Sequence, residues 1–175
     1  MRLFLATAPD GGWLPQADVV ALLRLYGVAL ASAPTTGSGT GGGAVMSISV
    51  KDDKMFGPLV VFGLSGGGTE AVADHAARLA PLTSADADML INSIHSAPLL
   101  SSDEGAPGTG SSPAAAALRD ALLRVSRLTE DLPEITELDL DPVIAGPDGA
   151  VAVDARIRVA PQAPQDPFLR RLRLP

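Results

Sequence analysis

Apolar positions recur at helical spacing from Gln16 to Tyr26, where Val19, Val20, Leu22, Leu23, Leu25 and Tyr26 gather. Pro15 suits the start of that helix and Gly27 its C-terminal cap. Val28-Ala29-Leu30 then predicts a short strand. Ala44 to Val50 predicts another, with Val45, Ile48 and Val50 β-branched, and Leu59-Val60-Val61-Phe62 predicts a buried one. A helix is expected from about Ala71 to Leu79. Thr83 stands as an N-cap with Asp86 at the third helical position, so a further helix is expected to run to about His95. The strongest amphipathic segment is Ala114 to Thr129, with Leu118, Leu122, Val125 and Leu128 on one stripe. Two strands, Ile135 to Ile144 and Ala150 to Val159, flank the turn Gly146-Pro147-Asp148-Gly149. Helices and strands alternate without an internal repeat, so the expected class is α/β or α+β.

The hairpin carries chemistry because its register can be argued. Side chains alternate faces along a strand. Leu138, Leu140 and Ile144 are expected on one face, with Pro142, and Glu137, Asp139 and Asp141 on the other. On the second strand Val151, Val153, Ala155 and Ile157 oppose Asp154, Arg156 and Arg158. A turn centred on Pro147-Asp148 sets Asp141 against Asp154, Asp139 against Arg156 and Glu137 against Arg158. Slipping by one residue would set apolar side chains against charges, so the hydrophobic pattern rejects it. Like charges directly opposite are destabilising, and two carboxylates ~5 Å apart across a ladder suit a hard cation such as Mg²⁺. A solvated polar face whose one bad pair is screened by water fits the same residues, and the pattern alone does not separate the two.

Composition narrows the classes. The chain has 175 residues, which indicates one domain with at most a small appendage. Hydrophobic residues make up 46% and charged residues 19%, as expected of a packed domain rather than a disordered one. Aromatics are only 3%, so the core must be aliphatic. A net charge of -7 argues against a nucleic-acid partner. The absence of cysteine excludes thiol catalysis, disulfides and Cys-ligated metal. No run reaches the ~18 apolar residues of a membrane span, and the opening is too short for a signal peptide, so no membrane partner and a cytoplasmic location are expected. Glycine and proline are in excess, at 18 and 15 residues. The tract Thr36 to Gly43 has no hydrophobic anchor and no following Lys-Ser/Thr pair, so it is expected to be a tether rather than a phosphate loop.

With these residues in place, Glu137-Leu138-Asp139-Leu140-Asp141-Pro142 followed by Val151-Ala152-Val153-Asp154-Ala155-Arg156-Ile157 resembles the magnesium-binding hairpin of ATP-grasp domains, most nearly those of ADP-forming acyl-CoA synthetases. Phe56-Gly57-Pro58 through Leu64, Arg78-Leu79-Ala80-Pro81-Leu82-Thr83 and Pro98-Leu99-Leu100 agree in order. Trp13-Leu14-Pro15 through Val28 is similar to the helix that opens the same region. Asp166 to Arg173 is similar to the C-terminus of versions fused to a GNAT-type acetyltransferase. The resemblance implies a mainly antiparallel sheet with helices packed on it. It also implies Asp139, Asp141 and Asp154 as metal-binding residues, and Gly66, Gly67 and Glu70 as nucleotide-binding ones, with Mg²⁺ and ATP as cofactors.

The same resemblance implies the joining of a carboxylic acid to CoA through an acyl phosphate and a phosphohistidine, in company with CoA-binding and phosphohistidine domains and, in the fused versions, a GNAT domain. Departures are local. Asp141 stands where the family usually has an asparagine, Ser65 replaces a glycine, and Gly67 and Gly68 replace an isoleucine and an aromatic. Residues 37–43 stand where the family has a long, lysine-bearing segment, and neither Lys51 nor Lys54 lies in a matching context. The expected organisation is therefore 1–36 as an opening helix and strand, 37–43 as a linker in place of a subdomain, 44–160 as the C-terminal ATP-grasp subdomain, and 161–175 as a proline-rich tail. A chain so organised is expected to show no ligase turnover alone, or to serve as a non-catalytic regulatory module. His75 and His95 lack a carboxylate at ligand spacing, so no catalytic role is expected for either.

Overall fold

The apolar stripe of one long helix sets the layering. The structure is a computed structural model describing residues 4–5, 8–31, 45–53, 55–66, 74–101 and 112–161. Helix α3 (Pro113–Asp131) turns Leu118, Leu122, Val125 and Leu128 wholly inward. Helices α1 (Gln16–Leu25) and α2 (Ser84–Ser93) join the same core through Val19, Leu23, Leu90 and Ile91. Facing them, Met46, Ile48, Val50, Val60, Phe62, Leu138, Leu140 and Ile157 come from one face of a sheet. Each such side chain contributes ~1.5–3 kcal/mol by leaving water. That one shared core is why a chain so poor in aromatics folds.

Among the described residues the sheet has eight strands, β1 (Gly12–Trp13), β2 (Ala29–Leu30), β3 (Val45–Asp53), β4 (Gly57–Leu64), β5 (His75–Leu79), β6 (Ile135–Gly146), β7 (Gly149–Ala152) and β8 (Ala155–Val159). Their order is β1-β8-β6-β3-β4-β5, with β7 also beside β6 and β2 joined to β7. Among the described pairings only β2–β7 is parallel. The mainly antiparallel sheet with helices packed on it is the architecture expected. No described helix is long and apolar enough to cross a membrane.

Polar side chains fix the helix ends. Asp86 N–H donates to Thr83 Oγ1 at 3.2 Å while Thr83 N–H donates to Asp86 Oδ2 at 3.0 Å, which is the reciprocal cap expected. Ser126, buried in α3, accepts the Leu82 N–H at 2.7 Å and so ties the approach to α2 onto α3. Arg124 Nη1 donates to the carbonyls of Tyr26 and Gly27 at 3.4 and 3.1 Å, closing the end of α1. Gly27 has φ +71°, and a Cβ there would lie 1.7 Å from that nitrogen. The positive φ favours glycine at that position, and a larger residue would also displace the end of the Arg124 side chain.

Two expectations are corrected. The segment read as a helix over Ala71 to Leu79 contains a strand, β5, pairing with β4 from Leu59↔Leu79 to Gly63↔His75. Residues 71–73 lie outside the described set. The helix-forming run Ala76-Ala77-Arg78-Leu79 is recruited by the otherwise unpaired edge of β4, whose ladder hydrogen bonds outweigh intrinsic propensity. His75 and Arg78 are therefore edge-strand residues.

The second correction concerns which hairpin residues face the core. Leu138 and Leu140 are buried as expected, but beyond them Val143 and Ala145 are buried while Ile144 is exposed. On the partner side Ala155 and Ile157 are buried as expected, Ala152 is buried as well, and Val151 is exposed. The cause is a bulge. Met46 pairs with Val143 and Ile48 with Leu140, so Asp141 and Pro142 together stand opposite Ser47. One extra residue on β6 moves every later side chain to the other face. The glycine tract at 37–43 and the tail from 162 lie outside the described residues.

Candidate functional site

Helices cover one face of the sheet, so the chemistry lies on the other. Two cross-strand rows run over that open face. One is Ala77–Val61–Ser49–Asp139–Arg156, and the next is Leu79–Leu59–Lys51–Glu137–Arg158–Trp13. Charge alternates along their right-hand halves. Arg156 Nη2 lies 4.0 Å from Asp139 Oδ2, and Arg158 Nη1 lies 3.8 Å from Glu137 Oε1. Both guanidinium groups also sit over the Trp13 ring, at 5.6 and 6.0 Å from its centroid. The expected pairings Asp139 with Arg156 and Glu137 with Arg158 are the observed ones.

Asp139 is partly buried on this face. Burial pushes its carboxyl above the ordinary value. Arg156 and Lys51 pull it back, and the negative charges of Glu137 and Asp141 add to the rise. Its place is structural as much as chemical, since Arg156 lies within ion-pair distance of one of its oxygens.

The bulge brings out the other two carboxylates. Asp141 N–H donates to the Asp154 carbonyl at 3.2 Å, and Val153 N–H donates to the Pro142 carbonyl at 2.8 Å, so Asp141 faces Asp154 as the sequence implied. Both side chains are exposed. Asp154 Oδ1 accepts the Ala155 N–H at 2.8 Å. Asp141 Oδ1 accepts a hydrogen bond from Ser65 Oγ, at the end of β4. Ser65 is itself held by its N–H, which donates to the Val45 carbonyl at 2.9 Å. Gly66 follows with φ +85° and open space where a Cβ would be, which turns the chain away from the strand. Gly67 and Glu70 lie outside the described residues.

The structure thus brings Asp141, Asp154, Ser65 and Gly66 to one end of the open face. Asp139 stands apart with Arg156, and among the described residues no group of three or more His, Cys, Asp or Glu is arranged to hold a metal ion. Two exposed carboxylates, Asp141 on β6 and Asp154 in the break between β7 and β8, nonetheless offer all-oxygen donors, the set a hard divalent cation prefers when other ligands come from outside the chain. Sequence reasoning missed Ser65 and Trp13. Ser65 reaches a partner 76 residues away, and no local pattern carries that signal. His95, expected to lack a carboxylate, places Nδ1 3.4 Å from Asp74 Oδ1. Asp74 also accepts the N–H groups of His95 and Ser96, both at 2.6 Å, so this cluster ties a turn to β5.

A family profile described as an ATP-grasp domain matches residues 24–159. The beta subunit of acetate–CoA ligase (ADP-forming) I from Pyrococcus furiosus is 40% identical over 105 residues, covering 60% of this chain and 44% of that subunit. The chain therefore spans less than half the length of that relative. Among solved structures, a dinucleotide-forming acetyl-coenzyme A synthetase 1 of Ca. Korarchaeum cryptofilum, in complex with coenzyme A, Ca-AMPCP and HgCl⁺, is 38% identical with a TM-score of 0.57, covering 67% of this chain and 49% of that one. A second structure of that synthetase, with coenzyme A and Mg-AMPPCP, shares the fold over 90% of this chain and 99% of its own at a TM-score of 0.70 and 24% identity.

Proposed function

Since the chain belongs to the ATP-grasp domain family, we propose that it supplies the nucleotide- and metal-facing sheet of an ADP-forming acyl-CoA synthetase. The observation that carries this reading is the placement of Asp141 and Asp154 side by side, exposed, at a bulge on the sheet face that no core residue occupies. Asp141 and Asp154 would hold Mg²⁺ together with ATP phosphates, the bound ion neutralising phosphate charge, and Asp139 would add negative field from the neighbouring row. Gly66, with open space where a Cβ would be, would lie towards the nucleotide, and Gly67 and Glu70 would join it as the family resemblance implies. Binding and orienting are the tasks these residues can perform; the joining of acid to CoA would need CoA-binding and phosphohistidine domains as partners. This chain alone is predicted to release no ADP in the presence of acetate and CoA.

A second reading has one observation in its favour: Arg156 and Ser65 already engage Asp139 and Asp141. Under it the chain is a non-catalytic regulatory or scaffold module, for which a GNAT acetyltransferase domain is the candidate neighbour. Titration calorimetry with Mg²⁺ and ATP separates the two. Millimolar or tighter binding that disappears in Asp154→Ala is expected from the first reading. Heat from an acyl-CoA or an acetyltransferase domain, with none from any nucleotide, would replace it with the second.

A further inference from the structure

We infer that Ser65 is a positioning residue that sets the divalent-ion selectivity of the hairpin, by making Asp141 a one-oxygen ligand. The inference rests on the proposed metal role of Asp141 and Asp154, and goes beyond it. Ser65 Oγ donates to Asp141 Oδ1, and among the described residues no other group donates to that carboxylate. Across the ladder, Asp154 Oδ1 is likewise taken by the Ala155 N–H at 2.8 Å, with no other described donor. Each carboxylate thus has one oxygen accepting from the protein and one without a described donor, Asp141 on β6 and Asp154 in the facing break between β7 and β8. Both positions are fixed by backbone. Ser65 is anchored by its N–H donating to the Val45 carbonyl, and Asp141 and Asp154 by the hydrogen bond between their main chains.

That arrangement distinguishes between hard cations. Mg²⁺ requires a near-ideal octahedron at short range and is commonly held by one or two carboxylates, each through a single oxygen, with water and phosphate completing the shell. Ca²⁺ accepts six to eight oxygens and readily takes a carboxylate through both. A hydroxyl held against Oδ1 of Asp141 opposes the two-oxygen mode and fixes the plane of the carboxylate for the one-oxygen mode. Ser65, just past β4, and Asp141, on β6, come together at this end of the sheet. They lie 76 residues apart and meet in one hydrogen bond. An aspartate has no amide to anchor itself to neighbouring acceptors, and the serine hydroxyl supplies the missing restraint.

The test uses the intact chain in the presence of ATP and measures protein-bound Mn²⁺ by electron paramagnetic resonance, with Mg²⁺ and Ca²⁺ as competitors and ATP without protein as the blank. Ser65→Ala is expected to weaken Mg²⁺ by about tenfold, the lower end of what losing an outer-shell partner does to metal affinity. Ca²⁺ is expected to stay level or tighten, so the Mg²⁺-to-Ca²⁺ ratio falls. Ser65→Thr, which keeps the hydroxyl, should restore the ratio. In an Asp141→Asn background the Ser65→Ala change should have no further effect on it. An unchanged ratio in Ser65→Ala, or the same loss with Asn at 141, would overturn the positioning role. A purely structural role would lower the melting temperature of Ser65→Ala and leave the ratio alone. Binding that survives Asp154→Ala, or its absence in the unaltered chain, contradicts the proposed function itself, and so the two failures are told apart.

Discussion

Strand β6 behaves as two different strands joined at Asp141. Before it, alternate residues Leu138 and Leu140 enter the core and the charged residues Glu137 and Asp139 pair across the open face with Arg158 and Arg156. After it, Val143 and Ala145 enter the core and Ile144 is left 40% exposed. The first half is an ordinary half-buried strand, in which side-chain chemistry and face agree. The second half, Pro142 to Gly146, carries no charged side chain and has the opposite phase. What separates them is the single extra residue at Asp141 and Pro142, opposite Ser47. The lesson is that the bulge does two things at once: it lets both halves bury their small aliphatics, and it turns a carboxylate out to meet Asp154 and Ser65.

The comparison can be broken most forcefully in the core. Leu140→Ala, at 1% exposure, should cost ~2–5 kcal/mol in urea denaturation, as a cavity with little room to collapse. Val143→Ala should cost more than Ile144→Ala although valine is the smaller side chain, because only Val143 is buried. Equal losses at 143 and 144, or a larger one at 144, would show that the phase does not change at the bulge.

A smaller effect is expected where the helix layer is tied to the chain entering α2. Ser126→Ala leaves the buried Leu82 N–H without its acceptor, and should destabilise by ~1–3 kcal/mol. Chemical denaturation of that variant sharpens the contrast between the helix-covered face, where polar groups serve structure, and the open face, where they are left to solvent. A loss as small as that of an exposed serine would contradict the tie.

A pH effect distinguishes the same two faces by sign. Burial alone would raise the carboxyl of Asp74, but the nearby Ser96 side chain and the hydrogen bonds from the N–H groups of His95 and Ser96 override it and hold the carboxyl below its ordinary value. A group lowered in the folded state contributes stability above its unfolded pKa of ~3.9, and that stability is lost as pH falls through the lower folded value. Asp139, raised chiefly by burial, has the opposite sign: its contribution is greatest below the unfolded value and declines as pH rises through the folded one. Melting temperatures followed from pH 6 to pH 3 should therefore fall less in Asp74→Asn than in the unaltered chain. The Asp139→Asn variant should be the more stable of the two at neutral pH. A steeper acid loss in Asp74→Asn would reverse the assignment.

Much of this was legible in the sequence, and the reasons are specific. Helix α3 shows because four aliphatic residues share a stripe, and the start of α2 shows because Thr83 and Asp86 cap each other within one turn. The pairing of Asp139 with Arg156 and Asp141 with Asp154 shows because hydrophobic alternation fixes hairpin register. Both failures have one cause, in that the deciding contact lies on another strand. The run Ala76 to Leu79 becomes β5 only because β4 offers it an edge, and the phase change in β6 follows from its pairing with β3. Ser65 is invisible for the same reason: nothing in its neighbourhood points to Asp141.

The central claim is that a divalent cation binds at the bulge, between Asp141 and Asp154. Amide resonances followed by NMR during Mn²⁺ addition test it directly, since the paramagnetic ion broadens only what lies close to it. The account predicts early loss of the Ser65, Gly66, Asp141, Asp154 and Ala155 amides, while Leu118, Leu122 and Leu128 of α3 persist. Broadening centred instead on the helix layer, or no selective broadening at all, would contradict it.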